Sequence, residues 1–313
     1  MPQELDLPYV MDEALTGLAI AYLPTGFIAD KILTKSYVDS PEFKYRYYEK
    51  GQFLTNTDTE IGEYGEPVED EFRYKELHEG TAIYSHSTKL SVRHLNAPTS
   101  EKNKEAKRVM MSKAKLMLSD EVRLANLLRN KDNYKGNATT LTSSNNFSNA
   151  SVKVIKTIQE CMDKMYKRPN LVVMSTKMAS ALRTCPQIIA SSKCKEVVDG
   201  LVSMDFLRKE VFDVENILVG DTRVNSNKRG QDISLSYVWG NDLIFLYIDE
   251  SADLDCGVTF GQRAIYKDYN TQTYLKAGVG AEGVKYYKTG DEHKDIITCP
   301  DCGYIIKNAF TFS

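Results

Sequence analysis

Residues 43–95 combine strand-like alternation with a long polar interruption. Aromatic residues alternate with polar ones on both sides of it, at Phe43, Tyr45, Tyr47, Phe72 and Tyr74. This alternation predicts half-buried strands, and the acidic, glycine-containing stretch 55–67 predicts the tip of an extended hairpin. Because a long hairpin is marginal in isolation, we expect its apolar face to rest on a neighbouring subunit.

The first 40 residues follow no clear period and contain scattered prolines, among them Pro2, Pro8 and Pro24. Such a segment is hard to bury alone, since proline lacks an N–H donor and interrupts regular elements. It predicts an extended arm that lies on another surface. The arm and the hairpin together predict extensive contacts between subunits.

Residues 101–129 change to a helical period. Residues of one stripe recur three or four positions apart, at Ala106, Met110, Ala114, Met117, Glu121, Leu124 and Leu128. This spacing predicts an amphipathic helix, ~43 Å long at 1.5 Å per residue. The Asn- and Ser-rich stretch 131–149 predicts a loop, and residues 151–167 predict a second helix that Ser148 or Asn149 could cap.

From residue 171 the pattern is mixed helix and strand. It predicts, in order, a strand at 171–174, a helix capped by Ser175 or Thr176, a helix over 202–211 and a strand at 217–219. Segments 234–238 and 243–248 predict a hairpin that turns on Gly240, Asn241 and Asp242. Short strands and glycine turns are expected from there to the C-terminus.

Composition and charge bound the class of protein. The chain has 313 residues, 42% of them hydrophobic and 27% charged, which is typical of globular proteins. A net charge of -3 excludes tight nucleic-acid binding by bulk electrostatics. The apolar run 14–23 is too short to span a bilayer, and six cysteines in a chain of this length predict reduced thiols rather than a disulfide framework.

Histidines and cysteines are the candidates for a metal site. His78, His86 and His94 are spaced by eight residues, but Glu79-Gly80 interrupts the strand that would align them, so surface or interface histidines are favoured. Cys299-Pro300-Asp301-Cys302 supplies two of the four ligands of a structural zinc, and His293 could supply a third. No fourth ligand is evident. A tight turn with incidental thiols is favoured over a metal or thioredoxin-like site.

Other motifs of catalytic chemistry are weak. Gly278, Gly280 and Gly283 match G-x-G-x-x-G, but no strong strand precedes them and no helix follows, so we expect a loop. The sequence contains no Walker-type lysine, no G-x-S-x-G and no H-E-x-x-H. Without convergent titratable groups, we expect no catalytic site, and the basic tract 102–115 is expected to be a solvated helix face.

Several strings occur in the order typical of one family. They are residues 27–33, 72–95, 96–98, 120–128, 168–175, 214–221 and 303–309. In this order the chain resembles the major capsid proteins of tailed phages with the Hong Kong 97-type fold, which encapsulins share. It departs from them in lacking a tryptophan-bearing dipeptide before the second helix, where Phe147 lies nearest. We expect no helical scaffolding extension before the arm, so that scaffolding comes from a separate protein or has been removed.

The resemblance implies an α+β fold in five parts. They are an N-terminal arm (1–42), an extended hairpin called the E-loop with flanking strands (43–95), a peripheral domain with a long spine helix (96–170), an axial domain (171–285) and C-terminal strands that return to the peripheral domain (286–313). It also implies residues that contact neighbouring subunits, namely Phe27 and Ile28 of the arm and Glu60, Gly62, Glu63, Tyr64 and Gly65 of the E-loop tip.

The resemblance further implies a self-assembling shell subunit that forms hexamers and pentamers around double-stranded DNA and has no enzymatic activity. Scaffolding and portal proteins, and a decoration protein, are the expected partners, with no cofactor and no membrane. Such a subunit assembles in the host cytoplasm and ends in the virion. The alternatives are an encapsulin-type nanocompartment shell and a small metal- or thiol-dependent enzyme centred on Cys299 and Cys302.

Overall fold

The computed structural model describes residues 10–21, 25–48, 60, 65–67, 69, 74–96, 103–192, 200–227, 230–280 and 282–312. The strands are β1 (Val10–Met11), β2 (Thr34–Tyr37), β3 (Glu42–Tyr48), β4 (Tyr74–Gly80), β5 (Ala82–Ser91), β6 (Ala138–Thr140), β7 (Leu171–Ser175), β8 (Asn216–Gly220), β9 (Arg223–Asn225), β10 (Leu235–Tyr237), β11 (Leu243–Leu246), β12 (Gly261–Lys276), β13 (Val284–Ile297) and β14 (Gly303–Lys307). The helices are α1 (Glu13–Ala21), α2 (Val92–Asn96), α3 (Lys104–Arg129), α4 (Val154–Met162), α5 (Thr176–Arg183), α6 (Pro186–Ser191) and α7 (Met204–Phe206), the last continued by a π-helical turn, Leu207–Phe212.

A long sheet has the strand order β1-β12-β13-β5, and β2 pairs in parallel with β12. The strands β12 and β13 have 16 and 14 residues, so the prediction of short strands is wrong here. The reason is that many of their buried side chains are polar, among them Gln262, Thr271 and Thr289. These strands therefore lack the apolar alternation that marks a strand in sequence. The predicted glycine loop is confirmed, since the described residues between these strands, 277–280 and 282–283, belong to no helix or strand.

A central sheet has the strand order β6-β14-β11-β7-β8. Its inner strands β7, β11 and β14 are continuous apolar runs because both faces are covered. Val172 and Phe245 pack on one face with the helices α4 to α6, whereas Val173 and Ile244 pack on the other with the spine helix α3. This sheet is therefore the layer shared by the two largest core clusters.

The predicted hairpin of 234–238 with 243–248 is wrong. Strand β10 pairs with β9 in a separate two-stranded sheet, whereas β11 lies between β14 and β7. The side chains of β11 are all buried, but those of β10 are mostly exposed. The four apolar residues of β11 are therefore buried in the central sheet. The turn at Gly240 does not determine which strands β11 pairs with.

The long helix is confirmed as α3, Lys104–Arg129. Its C-terminal half buries Leu124 and Leu128 as predicted. In its N-terminal half the buried face is shifted from the predicted stripe, because Val109, Ser112 and Lys113 are buried instead of Met110 and Ala114. This half packs on the long sheet, where Ser112 Oγ lies 2.9 Å from His86 Nδ1 and Lys113 Nζ lies 4.6 Å from the centre of the Tyr269 ring, so these two polar side chains lie inward.

The N-terminal segment is predicted to be an extended arm throughout. This prediction is wrong for Glu13–Ala21, which form the helix α1. Asp12 Oδ1 accepts the N–H of Leu15 at 3.0 Å, which caps the start of the helix. Ala19 is fully buried against Leu90, Val109 and Tyr287 of the same chain. This part of the segment therefore lies on its own subunit.

Two cap predictions have opposite outcomes. Ser175 caps α5, with Oγ accepting the Met178 N–H at 3.2 Å, as predicted. The second helix begins at Val154 rather than at 151, so Ser148 and Asn149 do not cap it. Instead, the Val154 N–H donates to Oε1 of Gln187 at 2.9 Å.

The expected division after residue 285 falls inside β13, between its second and third residues. Since β12 and β13 pair along nearly their whole length, the long sheet takes residues from both sides of this boundary. The last strand, β14, lies in the central sheet between β6 and β11. No helix among the described residues is long and apolar enough to cross a membrane.

Candidate functional site

The strands β3 and β4 form the hairpin that the sequence predicts. They pair antiparallel from Glu42 opposite Gly80 to Tyr48 opposite Tyr74. Phe43 and Tyr45 are buried against Ala264 and Ile296 of the long sheet. The expectation that the apolar face rests on a neighbouring subunit is therefore wrong for this end of the hairpin.

The opposite strand of the hairpin is largely exposed. Tyr74 and Leu77 have 44% and 40% of their surface accessible, which is high for large apolar side chains. Lys44 pairs with Glu76 at 3.2 Å across the strands, and an exposed pair of this kind stabilises the register only weakly. Of the expected tip residues, Glu60 and Gly65 are exposed. Gly62, Glu63 and Tyr64 lie outside the described residues.

The buried carboxylate of Glu121 holds the arm against the spine helix. Oε2 accepts the N–H groups of Ile28 at 3.0 Å and Ala29 at 2.8 Å. Oε1 accepts Nε1–H of Trp239 at 2.6 Å. Burial raises the pKa of Glu121, although these hydrogen bonds oppose the change. Gly220 leaves room for the indole, because a Cβ there would lie 2.2 Å from it.

Ile28 was expected to contact a neighbouring subunit, but the structure places it in the core of its own subunit. Its side chain is 6% exposed and packs in the cluster that contains Leu124 and Trp239. The hydrogen bonds from the N–H groups of Ile28 and Ala29 to Glu121 hold this residue in the core. Phe27 is half-buried and lines a cavity of about 200 Å³.

Beside this cavity lies an ionic cluster, which we define as Asp120, Arg263, Asp291, His293 and Asp295. Arg263 Nη1 and Nη2 donate to Asp120 at 2.8 and 3.1 Å. Its Nε and Nη2 donate to Asp295 at 2.6 and 3.0 Å. The guanidinium thus makes two bidentate pairs, the strongest geometry for such bonds. The cluster joins the spine helix to β12 and β13.

His293 completes the cluster. Its Nε2 lies 3.2 Å from Asp120 Oδ1, and its Nδ1 lies 2.8 Å from Asp291 Oδ2. The ring also packs against Tyr84, with centroids 4.9 Å apart and the ring planes tilted by 46°. Burial alone would lower the pKa of His293, but the bonds to Asp120 and Asp291 raise it to about 9. Burial would raise the pKa of Asp120, but His293 and Arg263 hold it well below its usual range.

Charged His293 should make stability depend on pH in the alkaline range. Since its pKa is raised to about 9 in the folded chain, its contribution is complete below the unfolded value and is lost as pH rises through the folded value. The difference in unfolding free energy between wild type and His293→Gln should be about 3 kcal/mol larger near pH 6 than near pH 10, at roughly 1.4 kcal/mol per pKa unit. Urea unfolding followed by fluorescence of the single tryptophan, Trp239, measures it.

The matched control for this test is His78→Gln, because His78 is exposed on β4. This variant should follow the pH profile of wild type. If His293→Gln and wild type lost stability in parallel between the two pH values, His293 would not be charged in the fold.

The ionic cluster also contains the one group of described residues with metal-like spacing. Ligand atoms of Asp120, His293 and Asp295 lie within 4.8 Å of one another. However, the Arg263 guanidinium already lies between the two carboxylates and supplies the positive charge. The group is therefore complete as an ion-pair network.

The sequence candidates for a metal site do not converge. His78, His86 and His94 lie on β4, β5 and α2, and β4 ends at Gly80, where the sequence placed an interruption. His86 Nδ1 is bonded instead to Ser112 Oγ at 2.9 Å. His293 does not join Cys299 and Cys302, because both ring nitrogens face Asp120 and Asp291.

Sequence comparison with known proteins identifies the family. The chain is 30% identical over 304 residues to the major capsid protein of Pseudomonas phage JBD67, covering 96% of this chain and 98% of that relative. The chain belongs to the phage major capsid protein family. A second relative, the major capsid protein of Burkholderia phage BcepMu, is 26% identical over 247 residues, or 76% of each chain. No protein-family model matches the sequence.

Solved structures share the fold of this capsid protein. A phage-related protein of Bordetella bronchiseptica RB50 has a TM-score of 0.73 at 19% identity, covering 96% of this chain and 98% of that one. The capsid of cyanophage P-SCSP1u has a TM-score of 0.58 at 9% identity, covering 92% and 89%. These neighbours agree with the α+β, Hong Kong 97-type fold that the sequence predicts.

Sequence reasoning missed the ionic cluster of this capsid protein. One signal was present, since Asp291, His293 and Asp295 alternate along β13 and share one face. Their partner Arg263 lies opposite Asp295 in the strand register. No pattern in the surrounding sequence indicated that Asp120 joins the cluster, because it lies 143 positions before Arg263.

Proposed function

We propose that this chain self-assembles into hexamers and pentamers that tile the icosahedral or prolate head shell of a phage. The observation that carries the proposal is the 30% identity with a major capsid protein over almost the full length of both chains. A heterologous contact repeated around a closed ring lets one surface serve every subunit. Family membership indicates a structural role rather than an enzymatic one.

The hairpin of β3 and β4 is proposed to act as the E-loop. Its support is the contrast between the two strands: Phe43 and Tyr45 of β3 pack within the subunit, while Leu77 of β4, directly opposite Tyr45, remains exposed. Residues 49–73 join the strands beyond the last pair, Tyr48 with Tyr74. Contacts with a neighbouring subunit are proposed for Glu60, Gly62, Glu63, Tyr64 and Gly65 of the tip and for Phe27 of the arm.

The shell is proposed to enclose double-stranded DNA through sequence-independent contacts. The exposed basic residues Lys107 and Lys115 of α3 suit such contacts, while the net charge of -3 keeps the chain from binding DNA strongly as a whole. Scaffolding and portal proteins, and a decoration protein, are the proposed partners. The chain would assemble in the host cytoplasm and remain in the virion.

Expression of the chain with and without its scaffolding protein tests the proposal. Negative-stain micrographs should show closed shells, and their number and uniformity should increase with scaffold. Exclusively monomeric protein under both conditions would contradict self-assembly.

The contents of the shells separate the two kinds of shell. Shells from phage-infected cells should protect double-stranded DNA from nuclease. Shells that hold a specific protein cargo and no DNA would favour the nanocompartment alternative.

A further inference from the structure

The turn between β13 and β14 carries Cys299 and Cys302 in a fixed geometry. Cys299 N–H donates to the Phe260 carbonyl at 3.2 Å, and the Cys302 carbonyl accepts the Tyr247 N–H at 2.9 Å. The Asp301 carbonyl accepts the Tyr166 N–H at 2.9 Å. Three separate segments of the chain therefore hold the turn in place, and the positions of both sulfur atoms are set before any reaction.

The two sulfurs lie 3.2 Å apart, with Cys302 Sγ–H donating to Cys299 Sγ. Cys302 is fully buried, whereas Cys299 is half-exposed. The hydrogen bond from Cys302 lowers the pKa of Cys299 against the effect of burial, and the N–H groups of Cys302 and Asp301 add to the lowering. The bond to Cys299 and burial raise the pKa of Cys302. A reagent in solution therefore meets the better nucleophile first.

A structural metal needs more ligands than this turn provides. Among the described residues, the one group of three or more ligand atoms with suitable spacing is Asp120, His293 and Asp295, and it includes neither cysteine. A structural zinc site is almost always four-coordinate. The pair therefore lacks the donors of a closed metal site. The short distance between the two sulfurs favours a bond between them instead.

We infer that Cys299 and Cys302 form a reversible disulfide within the subunit, with Cys299 as the attacking thiol and Cys302 as the resolving thiol. The oxidant is a low-molecular-weight disulfide such as oxidised glutathione. Cys299 loses its proton to water, its thiolate attacks one sulfur of glutathione disulfide, and the first glutathione thiolate leaves and takes up a proton from water. Cys302 Sγ then attacks Cys299 Sγ, passes its proton to the second departing glutathione, and closes the bond. The two cysteines lose two electrons, and one glutathione disulfide becomes two glutathione thiols.

This chemistry would respond to the compartment. Thiols stay reduced in the host cytosol, whereas a particle released from the cell meets an oxidising medium. The turn joins β13 of the long sheet to β14 of the central sheet, so the disulfide would lock the conformation of the turn that connects the two sheets. The inference concerns the subunit itself and does not depend on shell geometry.

The test exposes the purified full-length chain, reduced at the start, to glutathione buffers of increasing oxidised fraction. Acid quenching, alkylation and mass spectrometry of the tryptic peptide 295–307, which holds both cysteines, count the remaining thiols. Wild type should lose both thiols together without retaining glutathione. In Cys302→Ser, glutathione attached to Cys299 should exceed the wild-type level at least about tenfold, because no resolving thiol is present.

Cys256 supplies an internal control, since it is exposed and carries a free thiol. It should retain glutathione in wild type and in both single variants, Cys299→Ser and Cys302→Ser. In Cys299→Ser the buried Cys302 should stay unmodified. Two intact thiols at 299 and 302 after Cys256 has reacted fully would overturn the inference, as would one zinc ion per subunit that is lost in Cys302→Ser.

Discussion

Replacing Arg263 with methionine is expected to lower the unfolding free energy by about 3–5 kcal/mol, the usual cost of leaving buried charges uncompensated. The guanidinium is buried and makes bidentate bonds with Asp120 and Asp295. Its loss leaves two buried carboxylates facing each other without their main cation. Urea unfolding of the purified chain, followed through the buried Trp239, measures the change.

The matched control is Arg168→Met, which removes the same side chain from an exposed pair. Arg168 lies 3.1 Å from Asp163, and both side chains are at least half-exposed. The expected change is below about 1 kcal/mol.

A combined variant separates lost charge balance from lost packing. Arg263→Met with Asp120→Asn and Asp295→Asn should recover part of the lost stability, because the carboxylates no longer need a cation. If Arg263→Met cost no more than Arg168→Met, the ionic cluster would not stabilise the fold.

Deleting residues 55–66 is expected to abolish shells while leaving the subunit folded. The deletion falls between Tyr48 and Tyr74, the last paired residues of the hairpin, and leaves 13 residues to join the strands. The buried contacts of Phe43 and Tyr45 lie at the far end and should persist. Neighbouring subunits would lose the contacts proposed for the tip of the hairpin, so negative-stain micrographs should show no closed particles.

Two measurements make this deletion decisive. Unchanged Trp239 fluorescence and an unchanged urea midpoint would show that the subunit has kept its fold. A second variant replaces 55–66 with a glycine-serine segment of equal length, which separates the side chains of the tip from the length of the loop. Normal shells from the deletion would falsify the E-loop assignment, whereas shells from the replacement alone would show that length suffices.

Much of the fold could be predicted where a pattern is local. The period of α3, the buried run of β7 and the cap at Ser175 each depend on a few neighbouring residues. The hairpin of β3 and β4 was visible for the same reason. The pairing of β11 was not, because an apolar run of four residues fits a hairpin and a buried sheet equally well.

The candidate site was also only partly predictable from the sequence. The thiol pair was visible as a spacing of three residues, yet the sequence favoured incidental thiols, and the 3.2 Å approach of the sulfurs emerged only in the folded turn. The expected inter-subunit role of Ile28 was wrong because Glu121, 93 positions away, draws its backbone inward. A carboxylate on a helix does not indicate in sequence which distant N–H groups it will accept.

The class of protein, the spine helix, the hairpin and the order of strings typical of a capsid subunit could all be predicted from the amino-acid sequence. These features depend on period, composition and collinearity, which the linear chain carries in full. Tertiary structure alone decided that Asp120, Arg263 and His293 share one buried cluster and that Glu121 holds the arm. Buried charges are tolerated only when partners meet at hydrogen-bond distance, and that distance is set by packing between segments far apart in sequence.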